Sequence, residues 1–151
     1  MIAAYYDATY LLKLQITESG SPEVRTHAAT VLEIHSAQHG RAEFASAAFR
    51  KVREGVATPA DYQRLIAQFN ADIAATTVVL LPLTDAILDR VEAVFASAPA
   101  TTFLRAADAL HLATAADCLS SHVFEGLRAE GVRALRHCGN GYFHDHEHAG
   151  N

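Results

Sequence analysis

Three carboxylates stand in stretches otherwise suited to burial. Asp7 ends the run Ile2-Ala-Ala-Tyr-Tyr, Glu33 lies in Ala-Thr-Val-Leu-Glu-Ile-His-Ser-Ala, and Asp108 lies in Arg-Ala-Ala-Asp-Ala-Leu-His-Leu-Ala, one helical turn before His111. Burying a lone charge is strongly unfavourable, so a carboxylate in such surroundings needs an arginine, a set of backbone donors or a metal ion. Two or three carboxylates meeting at one point make a hard-cation site suited to Mg²⁺ or Mn²⁺. Such a cation can activate water and stabilise a phosphodiester in transit. Each acid also has an ordinary use. Asp7 can cap the next helix, Glu33 can sit on a solvated helix face, and Asp108 can pair with Arg105 three residues back. His111 reads as a packed, hydrogen-bonded core histidine.

The elements that must position these residues alternate between strands and helices. Ile2 to Tyr6 is a short apolar run ending at Asp7, which predicts a buried strand with a carboxylate at its C-terminal end, where open α/β sheets bind ligands. A short helix follows to Ile16. Ser21-Pro22 is a helix-start signal. Whether Val24 to Thr26 is a strand or a helical turn is open, and the spacing of Leu32, Ile34 and Ala37 predicts a helix from about Ala28 to His39. Arg41 to Glu54 reads as a helix ended by Gly55. Thr58-Pro-Ala-Asp61 is a capping box opening a helix to about Ala74, with Leu65, Ile66, Phe69 and Ile73 as its apolar stripe. Thr76 to Leu83 suits a buried strand, and Thr84 or Asp85 caps a helix carrying Ile87, Leu88, Val91, Val94 and Phe95. A helix is expected from Thr102 to about Leu119 and a last short strand at His122-Val-Phe. Strands interrupted by helices imply an α/β domain with a small parallel sheet flanked by helices.

Gross composition bounds the rest. The chain has 151 residues, half of them apolar, enough for one domain with a proper core. The formal net charge of −5 argues against a generally basic nucleic-acid-binding surface, although a metal ion would invert the field of an acidic site. No run of about 18 uncharged apolar residues is present, and the opening is not expected to be a signal peptide. Cys118 and Cys138 are expected to be two thiols in a reducing cytoplasm. The ending from His137, with His144-Asp-His-Glu-His148, has little core-building content and is expected to be an irregular, His-rich tail following a domain of residues 1–136.

Several of these stretches resemble the PIN-domain ribonucleases, especially the VapC-type toxins of type II toxin–antitoxin systems. Tyr6-Asp7-Ala8-Thr9-Tyr-Leu-Leu-Lys13, followed by Glu18-Ser-Gly-Ser, is similar to the family's opening. Leu32-Glu33-Ile-His-Ser-Ala37 resembles its second acidic motif, and Arg105-Ala-Ala-Asp108-Ala-Leu-His111 its third, the most specific of them. The match covers roughly residues 2 to 117. The resemblance implies a PIN-like α/β fold, with Asp7, Glu33 and Asp108 as catalytic metal ligands and Thr9 as a supporting hydroxyl. It implies endonucleolytic cleavage of RNA with Mg²⁺ or Mn²⁺, a cognate antitoxin and a homodimer. The family's fourth acid has no Asp counterpart between Ser120 and Arg128, where Glu125 stands nearest as a further metal ligand. The alternative is a PIN-like module with a weakened site that still binds an antitoxin or RNA.

Overall fold

The computed structural model describes residues 3–120. Within them lie β1 (Ala3–Tyr5), α1 (Ala8–Gln15), α2 (Ser21–Ala28), β2 (Glu33–Ala37), α3 (Gly40–Arg53), α4 (Pro59–Ala74), β3 (Val78–Leu81), α5 (Asp85–Ser97) and α6 (Ala106–Ser120). The strands form one parallel sheet in the order β1-β2-β3. The α/β arrangement expected from the alternating pattern, a small parallel sheet flanked by helices, is therefore present.

Local chemistry explains most boundaries. Thr58 closes the capping box, its hydroxyl accepting from Asp61 N while the Asp61 carboxylate accepts from Thr58 N, with Pro59 in the first turn. Thr84 caps α5, its hydroxyl accepting from Ile87 N. Gly55 follows α3 at φ 71°, a left-handed conformation that glycine adopts without strain. Ser21 is the first residue of α2 rather than its cap. Gly20 holds the cap position, and the Ser21 hydroxyl donates to Ile16 O instead, tying α1 to α2.

The core sits between the sheet and α1, α3 and α4. Leu11 and Leu12 of α1, Phe44 and Ala48 of α3, Phe69 of α4, Ile34 of β2 and Val78 of β3 are all buried. Phe44 and Phe69 stack with ring centroids 4.2 Å apart. Each buried aromatic of this kind stabilises the fold by roughly 2–3 kcal/mol. On the other side α6 packs against β2 and α5. Ala109 and Ala113 are among its buried residues.

Two expectations are corrected. The segment expected to be a helix from about Ala28 to His39 contains strand β2. β2 is the central strand, bonded to β1 on one side and β3 on the other, so Ile34, His35, Ser36 and Ala37 are all buried and no alternation marks it. With no alternation to read, the spacing of Leu32, Ile34 and Ala37 mimicked a helix. Leu32, counted in that stripe, is 71% exposed. The last helix begins at Ala106, not Thr102, after a turn in which Thr102 N donates to Pro99 O. Val24 to Thr26, left open by periodicity, is helical. The strand expected at His122-Val-Phe, Glu125, Cys138, the boundary at 136 and the His-rich tail all lie outside the described residues.

Candidate functional site

The C-terminal edge of the sheet gathers the chemistry. β1 ends at Tyr5, and the chain turns into α1 with Asp7 as N-cap, its Oδ1 accepting from Tyr10 N at 2.9 Å. β2 ends at Ala37, and His39 caps the entry to α3, which carries Glu43 one turn further on. From the other face α6 brings Asp108 in its first turn and His111 one turn later. Tyr5, the last residue of β1, meets His111 as its hydroxyl lies 2.8 Å from His111 Nδ1. The other nitrogen of that ring, Nε2, lies 2.6 Å from Glu43 Oε2. The same oxygen lies 3.7 Å from His39 Nε2. His39 Nε2 also lies 3.3 Å from Ala107 O, linking α3 to the start of α6.

Gly40 makes this convergence sterically feasible. A Cβ there would stand 3.0 Å from Ser36 Oγ and 3.2 Å from His111 Cε1, too tight without a shift of the ring or the hydroxyl. A bare Cα lets the first turn of α3 lie against the His111 imidazole.

The electrostatics follow from the packing. Burial pushes the Asp7 carboxyl above its ordinary value, against the backbone bond from Tyr10, the pull of His111 and a second backbone bond from Thr9, while the Glu43 charge pushes the same way as burial. Asp7 is thus a capped carboxylate whose charge its surroundings disfavour. Glu43 is displaced the other way, held low chiefly by its hydrogen bond to His111, with burial opposing. His39 is lowered by burial and then by His111, which favours its neutral form at pH 7.

The sequence-predicted site residues divide. Asp7 and Asp108 come to this edge on β1–α1 and α6. Glu33 does not. It pairs in register with Ala3, at the N-terminal end of the sheet. Asp7 lies four residues further along the chain, about 13 Å away at the rise of an extended strand. There Glu33 Oε2 contacts His35 Nε2 at 3.1 Å, and His35 Nδ1 lies 3.9 Å from Cys118 Sγ. This chain of contacts is not an activated nucleophile. Burial, with Asp117 adding to it, pushes the Cys118 thiol up to about 11, and a protonated thiol does not attack. Thr9 is exposed, and what it gives Asp7 is its backbone N–H. Asp108 is half-buried and makes no hydrogen bond or ion pair with the described residues. The guanidinium of Arg105, weighed as a partner, lies over the Phe103 ring instead.

Glu43 and His39 are the residues that sequence reasoning missed. Their signal was present, since they stand four apart where the chain leaves a strand and enters a helix. It was hidden because β2 was read as helix, which removed the strand end that makes the position meaningful. A concavity of about 740 Å³ lies elsewhere, between α1, α3 and α4, and includes none of these residues.

His39, Glu43 and His111 bring one ligand atom each within 4.8 Å of one another, an arrangement of two imidazoles and one carboxylate that can hold a divalent cation. Neither the models of known protein families nor the curated protein sequences match this chain.

Proposed function

We propose that this chain is a metal-dependent endoribonuclease and the toxin of a type II toxin–antitoxin pair. The observation that carries the reading is the Asp7 carboxylate. It is disfavoured by burial, has no cationic side chain bonded to it among the described residues, and shares the C-terminal edge of a parallel sheet with Glu43 and with the helix bearing Asp108. A divalent cation would satisfy that charge. The PIN-like motifs around Asp7 and Asp108 and the parallel α/β fold support the same reading.

Asp7, Glu43 and Asp108 would hold the ion, Mg²⁺ or Mn²⁺, with Glu43 taking the place first expected for Glu33. When bound, the cation supplies activation of water and neutralises charge on the phosphodiester. The chain's own residues do the rest. The α1 amides fix the orientation of Asp7, and His111 fixes that of Glu43. Arg41, exposed in the first turn of α3 and bonded to Asn70, would meet an RNA phosphate. Exposed Leu88, Val94 and Phe95 on α5, with Phe103 and Leu112 beyond it, support an apolar contact with a second copy or with the antitoxin. No helix among the described residues is long and apolar enough to cross a membrane, and a cytoplasmic site of action is part of the proposal.

The test is cleavage of labelled total RNA by the purified, antitoxin-free protein with Mn²⁺ and with EDTA. Metal-dependent cleavage supports the proposal. Intact RNA from folded protein across Mg²⁺ and Mn²⁺ moves the assignment to a binding module.

A further inference from the structure

We propose that His39, Glu43 and His111 form a binding site for a transition-metal dication, Zn²⁺ foremost, that does not depend on the ribonuclease reading. One ligand atom from each lies within 4.8 Å of the others. Glu43 Oε2 is the centre, 2.6 Å from His111 Nε2 and 3.7 Å from His39 Nε2. Two imidazoles and one carboxylate are the donor set of three-ligand zinc centres, which keep a further position open. The same set is poorly suited to Mg²⁺, which prefers oxygen.

The site is built on rigid elements. His39 and Glu43 are one turn apart at the start of α3, and His111 sits on α6. Both helices pack on the central strand β2. The two imidazole rings are 4.3 Å apart between centroids, so small side-chain movements bring the three donors onto one ion. An outer partner is in place for His111. A ligating Nε2 leaves the ring proton on Nδ1, which then donates to Tyr5 Oη at 2.8 Å.

A second observation points to a ligand. Ser36 Oγ is fully buried, and it and His39 Nδ1 have no hydrogen-bond partner among the described residues. Ser36 Oγ and the His111 ring both lie close to Gly40, 3.0 Å and 3.2 Å from where a Cβ would stand there. Buried polar atoms without partners are destabilising, and an ion with its bound water is one of the ordinary explanations for them. Packing alone gives no reason to set two imidazoles against one carboxylate next to an orphaned hydroxyl.

The test is a Co²⁺ titration of the 151-residue chain, followed by visible absorption, in a background with His144, His146 and His148 changed to Ala so that the tail takes up no metal. The expected result is one Co²⁺ per chain with d–d bands of nitrogen and oxygen ligation, displaced by Zn²⁺ and not by millimolar Mg²⁺. His39→Ala should weaken binding by at least about tenfold, and Tyr5→Phe by about tenfold, through the lost outer partner. Because the buried His111 is a risk to folding, those two variants carry the test, with circular dichroism to confirm the fold. No Co²⁺ binding by folded protein, or an affinity unchanged in His39→Ala, overturns the proposal. RNA cleavage is not read, so a chain that binds Co²⁺ and cuts nothing keeps this site and loses the nuclease assignment.

Discussion

Asp7 has two roles whose demands oppose each other. As N-cap it stabilises α1, yet burial disfavours its charge. The linkage sign is set by the raised carboxyl. Its contribution to stability is fully present below the ordinary value of 3.8 and is lost as pH rises through the raised folded value. Asp7→Asn keeps a capping oxygen and stays neutral, so in EDTA it should melt no lower than the native protein at pH 7, and its relative advantage should grow from pH 3 to pH 7. Asp7→Ala should lose about 1 kcal/mol relative to Asn, because the cap is gone. An Asn variant clearly less stable than the native protein at pH 7 would contradict the burial argument. Glu43 has the reverse sign. Its low carboxyl contributes stability that is present above the ordinary value of 4.5 and lost as pH falls through the folded value. The stabilising effect of Glu43 over Glu43→Gln, followed by thermal melts in EDTA, should therefore fade on acidification. At this scale the sequence was informative about Asp7 and Asp108, whose apolar surroundings flag a carboxylate. Its signal for His39 and Glu43, four residues apart just after a strand, was masked by reading β2 as helix, and their partner His111 comes only from α6.

Elements decide whether those residues meet. α3 holds Glu43 through the buried Phe44 next to it, stacked on Phe69 of α4. Phe44→Ala should destabilise the protein by about 3–5 kcal/mol, read by chemical denaturation. Thr58→Ala, far from the site, should remove about 1 kcal/mol through the lost cap of α4 and leave RNA cleavage unchanged. Gly40→Ala separates the two kinds of effect. It should leave helix α3 intact but displace the His111 ring, lowering cleavage far more than the melting temperature. Equal, small losses in both would show that the close approach at Gly40 is unimportant. The helices were legible because their caps and apolar stripes are local signals, as at Thr58 and Thr84. Strand β2 was not, because its character comes from pairing on both edges and burial on both faces, which no local period records.

The molecule as a whole is an acidic α/β protein in which Asp7, Glu43 and Asp108 are carried on the elements at one edge of the sheet and Glu33 lies at the other. Under the proposed function, a cation at the Asp7 edge would offset the repulsion between an RNA phosphate and a chain of net charge −5. The exposed apolar side chains on α5 give the assembly its test. Phe95→Glu, at a position 44% exposed, should leave the fold intact and shift a dimer to monomer in size-exclusion chromatography with light scattering. A native protein that is already monomeric would remove the dimer from the account. The central claim is that RNA is cut at the edge whose elements carry Asp7, Glu43 and Asp108, and not at the opposite end of the sheet. The most direct measurement compares Glu43→Gln with Glu33→Gln in Mn²⁺-dependent cleavage of labelled RNA. The account predicts that Glu43→Gln loses more than the roughly 10–100-fold typical of an outer-shell partner, while Glu33→Gln cuts like the native chain. Loss of cleavage in Glu33→Gln with Glu43→Gln fully active would contradict it.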